Sequence, residues 1–400
     1  MTAEQLDPPI YPFGDTTRLV VDSSYGAMRE RCPVGRVRLP YGGDAWLATS
    51  HAAVRTVLAE HRFSRAAAEG DVPRLLPASP PGGTILTADP PAHTRLRRPV
   101  MRAFTGRRIE QMRPQIEEIV ASLLDQVATA GPPADLRREF SEPLTVMVIC
   151  DVLGVPLSDR ELFRALTTAT MAVGTGGPDG AAGKATSQFY LYMQGLVQAK
   201  RHKPATDLLS HLISASELEG QLSDDEVIWL GVALLIGGHE TTLNQLNNSI
   251  ISLLTRADQL ALLRSRPGIL RDAVEELLRF VPLNVGSAYA VVATEDVELD
   301  GVVIRAGEAV IPDIAVANRD PTVFQRPDDL DLTRGDVPHV SFGYGAHHCV
   351  GAQLARLELE VALSEVITRF PSLRLAVDEA DLRWSTGSLI RGPRELPVCW

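Results

Sequence analysis

Positive charge, aromatic residues, paired cysteines and long apolar runs are all scarce in this sequence. Its 39 Lys and Arg are outnumbered by 50 Asp and Glu, for a formal net charge of −11 at pH 7. Nucleic-acid binding needs a basic surface and is not expected. Aromatics make up 5% of the 400 residues and hydrophobic residues 45%, so the material for a large core is present but mostly aliphatic. The 4 cysteines, Cys32, Cys150, Cys349 and Cys399, lie far apart and form no CxxC pair. That argues against a disulfide framework and for the reduced thiols of a cytoplasmic protein. The longest apolar stretch, 227–236, is interrupted by Gly231 and is too short to span a bilayer, so no membrane anchor is expected. The N-terminal MTAEQLDPPIYPFGD has no apolar core of the kind a signal peptide needs.

What is present is mainly helical periodicity, over 107–128, 143–153, 187–200, 206–215, 223–254, 270–280 and 352–369. Short alternating runs at 36–39, 45–49, 289–293, 297–304 and 308–312 read as strands. Pro- and Gly-rich stretches at 70–83 and 174–183 read as loops. The expected architecture is a single, mainly α domain with a small β-rich part, drawn from about 36–50 and 284–312. The longest helix, 223–254, opens on a capping-box signal, Ser223 and Glu226, and must cross the whole molecule. Its middle, IGGHETT, holds adjacent glycines Gly237 and Gly238. Each costs a helix about 1 kcal/mol relative to alanine, so something is expected to approach the backbone there.

The strongest local signal is SFGYGAHHCVGAQLARLELEVAL. Glycines 343, 345 and 351 surround Cys349, and a helical pattern begins just after it. A sulfur at a helix N-terminus is favoured as thiolate by the dipole and the free N–H groups. The glycines let backbone pass close to a flat macrocycle. A lone buried cysteine is usually an inert small hydrophobe, which is the expectation for Cys32, Cys150 and Cys399.

Residues 342–351, FGYGAHHCVG, resemble the haem-binding loop of the cytochromes P450, where Phe-Gly-x-Gly-x-x-x-Cys-x-Gly frames the ligand. The resemblance extends from about Tyr11 to Trp400. It implies the P450 fold, haem b with Cys349 as axial thiolate, and Phe342, Gly343, Gly345 and Gly351 framing the cofactor. In AVEELLRFVP, Glu276 and Arg279 match the family's ExxR pair behind the haem. Asp329 stands where the third member of that network is often Arg or His, so a Glu–Arg–Asp network is the expectation. IGGHETT resembles the oxygen-activation stretch, with Gly238 beside the haem, Glu240 as the acid and Thr241 as the alcohol that relay protons while dioxygen is reduced. Alone, such a threonine would more commonly bond back to a helix carbonyl. DPPAHTRLRRPV resembles the helix that meets the propionates. His93 and Arg97 share one face four residues apart, and His347 is a third donor. Family members commonly carry a further propionate-binding arginine before A-T-E-D, and Val291 occupies that place here.

The resemblance further implies monooxygenation of a small-molecule natural product, with electrons from a ferredoxin and ferredoxin reductase. A cluster at Arg95, Arg97, Arg98, Arg102, Arg107, Arg108 and Arg113 is either an ordinary solvated face or the docking site for such an acidic partner. The expected pocket residues, Leu86, Leu234, Gly237, Val285, Ser287, Val291 and Leu389, are small or apolar and suit a bulky substrate. Two substrate classes fit: a macrolide or other polyketide to be hydroxylated or epoxidised, and an aromatic cyclic dipeptide to be coupled. A haem-based sensor and a peroxide-driven peroxygenase are the rivals, and Glu240 with Thr241 favours neither.

Overall fold

The computed structural model describes residues 7–70, 72–75, 81–170, 180–219, 222–286, 290–335 and 337–400. The expected loops at 70–83 and 174–183 fall partly outside these, as does Ser287. The first part of the chain runs α1 (Ser23–Arg31), β1 (Val34–Arg38), β2 (Asp44–Ala48), α2 (His51–Ala59), β3 (Phe63–Ser64) and α3 (Ala92–Ala103). A helical stretch follows: α4 (Gly106–Glu110), α5 (Arg113–Ala130), then β4 (Ala134–Asp135), α6 (Glu142–Leu153), α7 (Arg160–Thr170), α8 (Ala181–His202), α9 (Leu208–Glu219) and α10 (Asp224–Leu254). The remainder is α11 (Ala257–Ser265), α12 (Leu270–Phe280), β5 (Val291–Ala293), β6 (Val297–Leu299), β7 (Val302–Ile304), β8 (Ala309–Pro312), α13 (Ile314–Ala317), α14 (Ala352–Arg369), β9 (Arg374–Leu375) and β10 (Pro397–Cys399). No helix among the described residues is long and apolar enough to cross a membrane.

The helical body is organised by α10. Its capping box is complete: Glu226 N–H donates to Ser223 Oγ at 3.2 Å, and Ser223 N–H donates to Glu226 Oε2 at 2.8 Å. Arg95 on α3 grips the same Glu226 through contacts of 2.9 and 2.5 Å, so one carboxylate both starts α10 and fastens α3 to it. At about 1.5 Å per residue the helix runs roughly 46 Å. It packs against α6, α8, α9, α12 and α14. The glycine pair now separates into two roles. A Cβ on Gly238 would lie 2.7 Å from Ile149 Cδ1, so α6 makes the close approach there. Gly238 is therefore a helix-packing glycine on its α6 side. Gly237 has nothing within 4 Å of its would-be Cβ and opens on free space.

The β-rich part is a five-stranded sheet in the order β1-β2-β8-β5-β3, joining residues near the start of the chain to residues near 300. β2 and β8 are parallel, and the other neighbours are antiparallel. Its two faces bury different sets. Phe63, Val291 and Ala293 pack with Val54 and Val57 of α2, whereas Val292 packs with Tyr11, Leu47 and Ile311. This is the period-2 alternation of a strand covered on both faces.

Candidate active site

Cys349 sits just ahead of α14, on a loop bent by Gly343 and Gly345, whose φ angles are +73° and +72°. A side chain at Gly345 would meet the Leu58 carbonyl oxygen at 2.5 Å, so the C-terminal end of α2 admits only glycine there. Cys349 N–H donates to the Phe342 carbonyl at 2.8 Å, closing the loop. Phe342 is held from behind. The Arg356 guanidinium lies 4.6 Å over its ring, and Glu275 grips Arg356 at 2.6 and 2.9 Å. Glu275 also pairs with His339 Nε2 at 3.1 Å. Burial pushes the Glu275 carboxyl up, but hydrogen bonds from His339 and Arg356 outweigh it and hold the pKa at about 2 against an ordinary 4.5.

A carboxyl depressed in this way stabilises the fold fully above its unfolded value and loses that contribution as pH falls through its folded one. Urea midpoints of the wild type are therefore expected to fall between about pH 4.5 and about pH 2. In Glu275→Gln that component of the fall should be missing, and an unchanged pH slope would remove the brace.

Cys349 is reachable by solvent although protein crowds much of its surroundings. The helix start was expected to favour thiolate. Burial instead pushes the thiol up, against the Gly351 N–H and the charges of Arg97 and Arg356, which pull it down. A cation bound at the sulfur reverses that balance, because a coordinating thiol gives up its proton.

A cluster of donors gathers nearby. His93, on the first turn of α3, is 1% exposed, and its Nε2 is buried with no partner among the described residues. Its ring centroid is 4.0 Å from that of His347. Arg97, one turn along α3, donates from Nη2 to the His348 carbonyl. Arg65, which sequence reasoning did not single out, brings a second guanidinium. Burial first, then the charges of Arg97 and Arg65, lower His93 to about 4. Burial, Arg65, His93 and Arg97 lower His347 to about 3. Neutral imidazoles and guanidinium groups gathered together, with a buried ring nitrogen left over, are the donor set that a pair of carboxylates completes.

Behind the loop, Glu276 and Arg279 on α12 have side chains 1% and 0% exposed. Arg279 uses all five of its N–H donors. Two go to Glu276 at 2.7 and 2.8 Å, and the others reach the carbonyls of Asn318, Pro327 and Asp329 at 2.9, 2.7 and 3.0 Å. The third member of the network is Arg334, whose Nε donates to Glu276 Oε2 at 3.0 Å. The expected Glu–Arg–Asp arrangement is thus corrected to Glu276–Arg279–Arg334. Asp329 takes part only through its carbonyl, while its carboxylate is 57% exposed and reaches Arg326 at 3.5 Å.

In the middle of α10, Thr241 is half-buried beside open Gly237 and donates its hydroxyl hydrogen to the Gly237 carbonyl. A hydroxyl committed as donor to the helix still has lone pairs to offer as acceptor. Glu240 is 7% exposed, and its Oε2 accepts from Asn244 Nδ2 at 3.1 Å. Asn244 Oδ1 in turn accepts from Arg137 at 3.0 Å. His239 is buried behind this stretch, 2.8 Å from Thr145 Oγ1, and burial lowers it to about 3.

The expected substrate residues divide. Val285 and Leu389 are brought together, since Val285 N–H donates to the Leu389 carbonyl at 2.8 Å, and both stay partly accessible. Leu86 is 38% exposed. Leu234 and Val291 are corrected: at 8% and 2% exposure they lie inside packed clusters rather than along a cavity. Period 3.6 or 2 places a residue on one face, but the packing partner decides whether that face meets core or cavity.

A family model described as Cytochrome P450 matches residues 257–381, which include Glu276, Arg279 and Cys349. The chain is 48% identical to Nocardicin C N-oxygenase of Nocardia uniformis subsp. tsuyamanensis, over 98% of this chain and 99% of that protein. It is 44% identical to mycinamicin IV hydroxylase/epoxidase of Micromonospora griseorubida, over 98% and 99% respectively. Among solved structures, the LnmA cytochrome P450 hydroxylase from the leinamycin biosynthetic pathway of Streptomyces atroolivaceus S-140 matches with a TM-score of 0.92 at 47% identity, covering 98% of this chain and 100% of that one. Relatedness over nearly the whole length, together with a cysteine loop and donor cluster that fit a haem and its propionates, makes this protein a member of the cytochrome P450 family, the haem-thiolate monooxygenases.

Proposed function

We propose that Cys349 is the axial ligand and that His93, His347 and Arg97 hold the propionates. The observation that carries this reading is a solvent-reachable cysteine on its glycine-bent loop together with the orphaned Nε2 of buried His93. Bound there, haem supplies reduction of dioxygen and transfer of one oxygen atom to the substrate. The chain's own residues supply the rest. The Gly351 N–H and the Arg97 and Arg356 charges moderate the sulfur. Thr241 holds a water at its free lone pairs, and Glu240, backed by Asn244 and Arg137, is the proton source beside it.

The substrate we infer is a bulky, mostly apolar natural product that meets Gly237, Val285 and Leu389, with Leu86 at its edge. The relatives, an N-oxygenase and a hydroxylase/epoxidase, favour catalysis over sensing. Monooxygenases of this family need an electron donor. We assign that role to a ferredoxin, with its reductase, acting in the cytoplasm. Of the arginine cluster, Arg95 is paired with Glu226 and Arg113 with Glu110 and Glu360, and Arg98, Arg107 and Arg108 are exposed on α3 and α4. An acidic ferredoxin suits that remaining patch.

Thr241→Ala is expected to bind substrate as the wild type does, while product formation falls by roughly 10²-fold or more. Reducing equivalents from NAD(P)H should then leave as hydrogen peroxide. Unchanged coupling of NAD(P)H to product would remove Thr241 from proton delivery. Full turnover with peroxide in place of ferredoxin and NAD(P)H would favour the peroxygenase.

A further inference from the structure

We propose that Glu275 sets the electron donation of the Cys349 sulfur by cancelling the charge of Arg356, so that an ion pair rather than a bare cation braces the loop. The inference rests on the haem-site reading above. The two neighbouring acids of α12 diverge, since successive residues of a helix point roughly 100° apart. Glu276 turns to Arg279 and Arg334, and Glu275 turns to Arg356 of α14. The sealed Glu276 network therefore fixes the helix on which Glu275 stands.

Arg356 meets the cysteine loop through Phe342. Its guanidinium lies 4.6 Å over the Phe342 ring, and the Phe342 carbonyl accepts the Cys349 N–H at 2.8 Å. Its charge also reaches the sulfur, pulling the thiol down against burial. Glu275 answers that charge with a fork: Oε1 accepts from Arg356 Nε at 2.6 Å and Oε2 from Nη2 at 2.9 Å. A forked contact holds the two charges in one orientation. The side chains of Arg356 and Glu275 are 28% and 25% exposed, so solvent screens the pair only in part. His339 steadies the carboxylate from its other side. The Ser341 N–H donates to His339 Nδ1 at 3.1 Å, which leaves the ring hydrogen on Nε2, 3.1 Å from Glu275 Oε2. This donor needs no charge of its own, so Arg356 is the cation that Glu275 offsets. An unpaired cation beside the sulfur would favour the reduced iron and draw electron density away from the ligand. With the pair intact the opposite charges largely cancel. Arg356 then supplies the shape of the brace, and Glu275, acting through it as a positioning residue, supplies the electrical balance.

The test is the iron midpoint potential of the substrate-free holoenzyme through a charge cycle, with the ferrous carbon monoxide band recorded on the same samples. Glu275→Gln keeps an acceptor for Arg356 and removes the charge. It is expected to shift the ferric–ferrous equilibrium roughly tenfold toward ferrous, about 59 mV upward for one electron. That is the order of effect of one unit charge about 10 Å from another at an effective dielectric of about 20. Arg356→Gln, which leaves the carboxylate alone, should move the potential downward. The double variant should return close to the wild type. A merely structural brace would send both single variants the same way, and that pattern, or no shift in either, would overturn the inference. Glu360→Gln is the control, an acid of α14 that pairs with Arg113 instead. It should leave the potential unchanged, and a shift as large as that of Glu275→Gln would also overturn the assignment. If Glu275→Gln does not fold, Arg356→Gln decides: a fall in potential supports the inference, and an unchanged or raised potential overturns it. Absence of the red-shifted band in the wild type would overturn the haem-site reading itself. The band present with unmoved potentials would overturn only the role of Glu275.

Discussion

Glu276→Ala is expected to lower the stability of the chain by about 3–5 kcal/mol, the penalty for leaving a buried ion pair without one partner. The loss has three sources. Arg279 stays sealed in with only carbonyls to answer its charge, Arg334 loses its carboxylate, and the Asp331 N–H that bonds Glu276 Oε1 at 3.0 Å is orphaned. Folded proteins hold only about 5–15 kcal/mol in reserve, so this variant should fold poorly and retain little haem. A surface pair is the contrast. Arg305 and Asp296 are 67% and 51% exposed, and Arg305→Ala should cost about 0–1 kcal/mol. Urea unfolding of the two variants checks the pair of numbers. A Glu276→Ala midpoint as high as that of Arg305→Ala would mean that the buried network does not hold α12 to the residues around 330.

Cys349→Ala is expected to abolish monooxygenation while leaving the fold intact. The loop is braced independently of the sulfur, by the Cys349 backbone N–H, by Phe342 under Arg356, and by the glycine turn against α2. The propionate donors are also untouched, so some haem should remain. What disappears is the thiolate, and with it the electron push that favours O–O cleavage. The ferrous carbon monoxide complex should lose the red-shifted band that gives the family its name, and turnover should fall to background. The other cysteines give the internal control. Cys150 is fully buried, and burial pushes its thiol up to about 12, so Cys150→Ala should keep both band and turnover. A red-shifted band surviving in Cys349→Ala would place the sulfur ligand elsewhere.

How much of this was legible in the sequence follows the range of the signal. Ser223 with Glu226, and the glycines around Cys349, act within a few residues of where they stand, and the structure realises both locally. The Glu276–Arg279 spacing is equally local. Its third partner was not, because Asp329 and Arg334 lie in irregular chain where no period says whether a carbonyl or a side chain points inward. Gly238 illustrates the same limit, since a glycine announces a close approach but not what approaches, and here it is Ile149 of α6. Val291 and Leu234 were placed along the cavity by position alone. Burial against α2 and in the helical core decided otherwise. The propionate expectation fared better, because His93 and Arg97 share one helical face and need only α3 to meet His347.

The central claim is that one sulfur of this chain, on Cys349, is bonded to iron. Iron K-edge X-ray absorption on the purified holoprotein tests it directly, using a chain in which Cys32, Cys150 and Cys399 are replaced by alanine. The account predicts a single sulfur scatterer in the first coordination shell, lost on further replacement of Cys349. A shell of nitrogen and oxygen alone, with haem bound, would contradict it.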